Sequence, residues 1–99
     1  MNNPLEKEIE QKLKTLVEGK LQGLCLKWVC PGWSGVPDRI LLFPGGRVQF
    51  AELKRPKGSK TSSLQTWWKR KLEYLGFTVW HIHTLEDINR IGEQYNARN

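Results

Sequence analysis

The stretch "GVPDRILLFPGGRVQFAELKRP", Gly35 to Pro56, decides the fold. At its centre Pro44-Gly45-Gly46 separates two strand-like runs, Arg39 to Phe43 and Arg47 to Lys54, as the loop of a hairpin. A three-residue loop pairs Phe43 with Arg47, and the register then follows by counting. Leu42 faces Val48, Ile40 faces Phe50, and Asp38 faces Glu52. Directly opposed residues share a face of the sheet with Cβ atoms ~5 Å apart. One face is thus apolar in its middle and acidic at its open end, with Lys54 two residues further along the same side. Opposed carboxylates repel unless something neutralises them. A divalent cation does so, and hard oxygen ligands suit Mg²⁺ or Mn²⁺. Lys54 offers another route, and ordinary charges at a wet sheet edge are the plain alternative.

Outward from the hairpin, the apolar stripe Leu5, Ile9, Leu13, Leu16 and Val17 predicts a helix over Pro4 to Glu18, ended by Gly19 and Gly23. Leu24 to Cys30 reads as a strand in which Leu24, Leu26 and Trp28 alternate with Cys25, Lys27 and Val29. A second helix spans Ser62 to Leu75, with Leu64, Trp68, Leu72 and Leu75 on its buried face. A last strand, Phe77 to His83, leads into a short final helix that Thr84 and Asp87 open as a capping box. The order is α-β-β-β-α-β-α: an α/β fold with a small mixed β-sheet flanked by helices. The final strand follows a helix rather than a tight turn, so it can lie parallel to its neighbour.

Ninety-nine residues with 38% hydrophobic content suit a single domain over 1–99. No apolar run is long enough for a bilayer, and Met1 to Lys20 is too charged for a signal peptide. The expectation is a soluble, cytoplasmic chain. Cys25 and Cys30, on opposite faces of one strand and ~16 Å apart, lie beyond disulfide reach and read as reduced thiols. Without a matching Cys/His cluster they do not suggest structural zinc.

The net charge of +6 is unevenly spread: Lys54 to Lys71 holds seven basic residues and no acid. Such a concentration suits a phosphate-binding surface, though a solvated face kept basic for solubility has the same composition. Lys27 reads either as a phosphate contact or as an exposed strand lysine. On the first helix Glu6 lies about 50° from the centre of the apolar stripe, and Glu8 and Glu10 about 110° and 90°. Glu6 is therefore the acid expected to point inward, unless it is there for the helix dipole. Gln65 either closes a capping box with Ser62 or serves a site beside the buried stripe. His81 and His83 share a strand face with no third ligand suggested nearby, which favours packing or a nucleic-acid-facing edge over a metal site. Trp33 and Trp67 fall off the buried stripes, where they can stack on bases or bury themselves in a partner subunit.

Asp38 within "GVPDR", thirteen intervening residues, and then "ELK" resemble the PD-(D/E)xK nuclease superfamily. The longer string "LKWVCPGWSGVPDRILLFPGGRVQFAELKRP…LQTWWKRKLEYLGFTVW" is similar to its VRR-Nuc branch, the virus-type replication-repair nucleases. The resemblance implies a restriction-endonuclease-like core and a metal-dependent, structure-selective DNA endonuclease of the Holliday-junction-resolvase kind. It would act on branched DNA as a homodimer, inside a host cell if viral. It implies that Asp38, Glu52 and the Leu53 carbonyl ligate Mg²⁺ or Mn²⁺ and that Lys54 serves the attacking water or the phosphate. Glu6, with Glu10 close by, would match the first-helix acid, and Gln65 the downstream glutamine. Lys27, Arg39, Arg55, Lys57, Lys60 and Lys69 are the candidate DNA contacts. A non-catalytic nucleic-acid-binding module is the competing reading, since the basic surface and the tryptophans would suffice for it.

Overall fold

A computed structural model describes residues 4–53 and 62–98 of the chain. Helix α1 (Pro4–Lys14) continues into a wider π-helical turn (Thr15–Lys20) and is followed by strands β1 (Leu24–Lys27), β2 (Arg39–Phe43) and β3 (Arg47–Leu53). Helix α2 (Ser63–Tyr74), strand β4 (Thr78–Ile82) and helix α3 (Leu85–Arg98) complete the α-β-β-β-α-β-α order. The strands lie in the order β1-β2-β3-β4, antiparallel at the first two junctions and parallel between β3 and β4. Parallel neighbours cannot be joined by a tight turn, and the chain between them carries α2. Among the described residues no helix is long and apolar enough to cross a membrane.

The hairpin has the register obtained by counting: Phe43 pairs with Arg47, Leu42 with Val48, and Ile40 with Phe50. Gly45 and Gly46 both take positive φ, 85° and 76°, which glycine adopts without a Cβ clash. Because side chains alternate, the sheet presents two faces with separate apolar cores. On one, Leu41, Phe43, Ala51 and Ile82 meet Ile9, Leu13, Val17, Ile88 and Ile91 from α1, the π turn and α3. On the other, a smaller cluster of Phe50, Val79 and Leu72 is flanked by Trp28, Ile40, Val48 and Trp68.

Three elements differ from the sequence expectation. The first helix runs past Gly19, because the π turn advances less per residue than an α-helix and keeps Leu13, Val17 and Leu21, spaced by four, on the core side. Strand β1 stops at Lys27, and it is Cys25 that is buried while Leu24 and Leu26 are half exposed. As an edge strand, β1 is covered on one face only, by the layer that includes α1. Helix α2 turns Gln65, Trp68 and Leu72 toward the sheet, and Leu64 and Leu75 remain exposed. Cys25 and Cys30 are both free thiols, as expected. Burial pushes the Cys25 thiol above its ordinary value, with Arg39 acting the other way, so it is a poor nucleophile.

Candidate active site

Asp38 sits one residue before β2, where its carbonyl accepts from the Trp28 amide at 2.8 Å and extends the β1–β2 ladder. That fixes its backbone. Its side chain crosses to the next strand, where Oδ2 accepts the Leu53 amide proton at 2.9 Å. The Leu53 nitrogen belongs to the Glu52–Leu53 peptide, so the first acid is anchored to the backbone of the second. Glu52 is only 5% exposed, the single buried charged residue among those described. A carboxylate withdrawn from water needs donors or a cation. One donor is the Gln65 Nε2 group, 3.0 Å from Glu52 Oε1.

Gln65 resolves the two readings of its sequence position by serving both. Its Oε1 accepts from the Ser62 amide at 3.0 Å while its own amide donates to Ser62 Oγ at 3.1 Å, the reciprocal capping box of α2. With the side-chain oxygen engaged at the cap, the NH₂ group is left pointing at Glu52. The loop before Asp38 makes this approach possible. Gly35 has φ of 86°, and a Cβ there would lie 2.6 Å from the Leu64 Cβ and 3.1 Å from the Gln65 nitrogen. Only glycine lets the segment leading into Asp38 lie against the start of α2.

Beside Asp38 opens a cleft of about 260 Å³, lined by Ile9, Glu10, Lys27, Trp28, Arg39 and Leu53 as well as Asp38 itself. Glu10 is the first-helix acid seen at this cleft, ion-paired to Arg39. Glu6 lies one turn earlier in α1, and its side chain is outside the described residues. Arg39 is 16% exposed and its buried Nε has no hydrogen-bond partner among the described residues, so its charge belongs to the cleft wall rather than to an open surface. Lys27 is exposed at the same cleft. Lys69 pairs with Glu73 at 2.8 Å on α2, one turn apart. Lys54, Arg55, Lys57 and Lys60 lie outside the described residues.

Two features escaped the sequence reading. The Glu10–Arg39 pair is one; a helix acid and a strand cation 29 positions apart leave no local pattern. His81 is the other. It is the cross-strand partner of Glu52 in the parallel β3–β4 ladder and therefore lies beside that acid on the same face. Only the choice of β3 as the parallel neighbour of β4 would have revealed it.

Among the described residues no group of three or more His, Cys, Asp or Glu side chains converges as a metal cage. Asp38, Glu52 and the Leu53 carbonyl are oxygen donors of the kind that could hold a hard cation such as Mg²⁺, which usually keeps several of its waters. A mixed sheet with one acid at a hairpin mouth and a second, buried acid on the adjoining strand is the arrangement that the resemblance to PD-(D/E)xK nucleases implies.

Comparison with known proteins sharpens that class. No family model matches the chain. A solved structure titled "VRR_NUC domain" superposes with a TM-score of 0.83 at 25% identity, covering 94% of this chain and 99% of that one. A relative from Acyrthosiphon pisum secondary endosymbiont phage 1, named "Putative nuclease p44", is 39% identical over 74 residues, 75% of this chain and 77% of the relative. The chain belongs to the VRR-Nuc family of nucleases.

Proposed function

We propose that the protein is a metal-dependent, structure-selective DNA endonuclease that hydrolyses phosphodiester bonds in branched DNA, in the manner of a Holliday-junction resolvase. The observation that carries this reading is the hydrogen bond from the Leu53 amide to Asp38, which ties one carboxylate to the peptide of a second, buried one held by Gln65. Asp38, Glu52 and the Leu53 carbonyl would hold Mg²⁺ or Mn²⁺. When bound, such an ion supplies Lewis acidity, activating water and offsetting the charge that builds on the phosphoryl oxygens.

The chain's own groups have definite tasks. Asp38 and Glu52 supply the negative charge that draws the cation, and Gln65 fixes the direction of Glu52. Lys54 follows Glu52 by two residues in the ELK motif and would set a fixed positive charge against the phosphate. Lys27 stands at the cleft to meet the backbone of the strand being cut. Arg39, fastened to Glu10, would meet the same strand within the cleft wall. Arg55, Lys57, Lys60 and Lys69 would contact flanking phosphates, which confer affinity without sequence preference. We propose a homodimer as the working unit, to be checked by sedimentation.

The test is cleavage of four-way junctions, flaps, splayed arms and duplexes with Mg²⁺, with Mn²⁺ and with a chelator. Cutting of the branched substrates with either metal is expected, with none in the chelator. Asp38→Asn keeps an acceptor for the Leu53 amide, so it should fold with stability within about 1 kcal/mol of the parent and yet fail to cut. A shift of the DNA without nicking by the parent protein would instead make it a non-catalytic binding module.

A further inference from the structure

The loop after β1 and the outer side of α2 build a second concavity that hydrolysis does not use. Trp33 is 61% exposed and Trp67 50% exposed, and both stand edge-on to Trp68, with ring centroids 5.7 and 5.2 Å apart and interplanar angles of 83° and 89°. Trp68 is held firmly in turn. Its indole Nε1 donates to the Ser34 carbonyl at 3.0 Å, and its ring meets Trp28 at 6.0 Å over the smaller core. The result is a groove of about 340 Å³ between Trp33, Ser34, Leu64, Trp67 and Trp68. Its floor is tied down by that hydrogen bond, and its two outer rings are half exposed or more. Neither outer ring belongs to the two buried cores, so core packing does not account for the faces they leave exposed.

Cations border the groove. Trp67 shares one neighbouring hollow with Arg70, and another with Arg70, Lys71 and Tyr74, where the Lys71 ammonium lies 5.5 Å from the Tyr74 ring centre. An aromatic slot with cations on the far side of one wall, Trp67, matches a flat ring joined to a phosphate. We infer that Trp33 and Trp67 form a stacking site for an unpaired nucleobase, with the adjoining phosphates on Arg70 and Lys71. The inference rests on the nuclease reading and deepens it: the preferred substrate carries unstacked bases, as a flap, splayed arm or open junction centre does. A closed duplex hides its base faces and cannot use the slot. Charge favours this occupant over a second copy of the chain. A two-fold contact through this surface would bring Arg70 and Lys71 of both copies into one interface, where like charges repel.

The experiment uses the full chain carrying Asp38→Asn, so that binding is read without cutting. Labelled probes are an oligothymidylate, an abasic oligomer of equal length and a fully paired duplex. The oligothymidylate should bind best. Trp67→Ala and Trp33→Ala should each weaken it about tenfold, Trp67→Phe should retain most of the affinity, and the abasic oligomer should bind all variants alike. Equal binding of oligothymidylate and abasic oligomer by the Asp38→Asn protein, or no loss in Trp67→Ala, overturns the site. A dimer that Trp67→Ala converts to monomer without any base-dependent loss also overturns it, in favour of self-association. Cleavage by the parent chain is measured separately. Absence of cutting with Trp67-dependent base binding intact defeats the nuclease reading and leaves the slot standing, whereas cutting with no Trp67 dependence does the reverse.

Discussion

One side-chain amide links the presentation of Glu52 to the start of a helix. Gln65 spends its oxygen on the Ser62 amide and its nitrogen on Glu52, so the start of α2 and the buried acid share one side chain. Substitutions at this position can separate the two roles. Gln65→Glu can still close the capping box, because glutamate is as good as glutamine at that position. It exchanges the donor facing Glu52 for a second carboxylate, and like charges this close disfavour joint ionisation. Gln65→Ala removes both contacts and takes one donor from the buried carboxylate, at a cost of about 1 kcal/mol or more. The expected outcome is that both variants cut branched DNA at least about tenfold more slowly, each tenfold corresponding to roughly 1.4 kcal/mol in the barrier. In circular dichroism Gln65→Glu should keep its α2 signal better than Gln65→Ala. Cleavage that survives Gln65→Glu unchanged would remove Gln65 from the site.

At the scale of elements, helix starts and glycine turns carry the positioning. Gly35→Ala forces a side chain into a φ of 86° and into the Leu64 Cβ at 2.6 Å, where neither backbone nor neighbour has room to yield. A cost of roughly 1–3 kcal/mol from the backbone alone is expected. Because the loop and α2 would be pushed apart, urea denaturation should show that loss, and cleavage should fall further than stability explains. Helix α3 offers a pH test. Burial of Asp87 acts to raise its pKa, but the amides of His83 and Thr84, at 2.8 and 3.1 Å, together with Arg90, outweigh that and hold it below its ordinary value of 3.8. A carboxyl with a depressed folded-state pKa stabilises the fold fully above its unfolded value and loses that contribution as pH falls through the folded one. Asp87→Asn should therefore cost stability, about 1 kcal/mol as an N-terminal capping contact, at neutral pH. The gap between variant and parent should narrow below about pH 4. A gap that stays constant into acid would mean that the charge of Asp87 is irrelevant.

These elements also show what the sequence made legible. The hairpin was readable because Pro44-Gly45-Gly46 admits few loops, and a loop of odd length fixes which side chains share a face. Hence Asp38 and Glu52 fall at the same sheet end, as the counting required. Strand β1 was readable as a strand but not in its burial. Alternation defines two faces without saying which one another layer will cover, and Cys25 proved to be the inward residue. The rotation of α2 was hidden for a similar reason, since Leu64, Trp68, Leu72 and Leu75 form a wide stripe of which the smaller core needs only the middle. Glu10 was least legible, because its partner Arg39 is distant in sequence and is reached only once α1 packs across the sheet.

Over the whole molecule, the decisive quantity is the net charge of +6 and where it is already spent. Binding to a polyanion is driven by counterion release, and log K falls with log salt by about 0.9 for each phosphate engaged on a duplex, or roughly 0.7 on a single strand. Not every lysine or arginine contributes equally. Arg39 is committed to Glu10, and Lys69 to Glu73, so part of each charge is offset before DNA arrives. Arg70 projects from the exposed side of α2 between Trp67 and Lys71, where a phosphate reaching the helix would meet it. Arg70→Ala in the Asp38→Asn background should therefore reduce the salt slope by nearly one phosphate's worth, equally for all sequences of a given DNA structure. Lys69→Ala should reduce it by less, because Glu73 already offsets part of the Lys69 charge, although removing Lys69 leaves Glu73 to repel the same backbone. That added repulsion should appear as weaker binding at low salt, out of proportion to the change in slope, and Lys69→Ala/Glu73→Ala should restore much of it. Titrations of one junction at several salt concentrations measure all three quantities. Equal slope changes for Arg70→Ala and Lys69→Ala would mean that the Lys69–Glu73 pair opens on binding and that both cations reach phosphate.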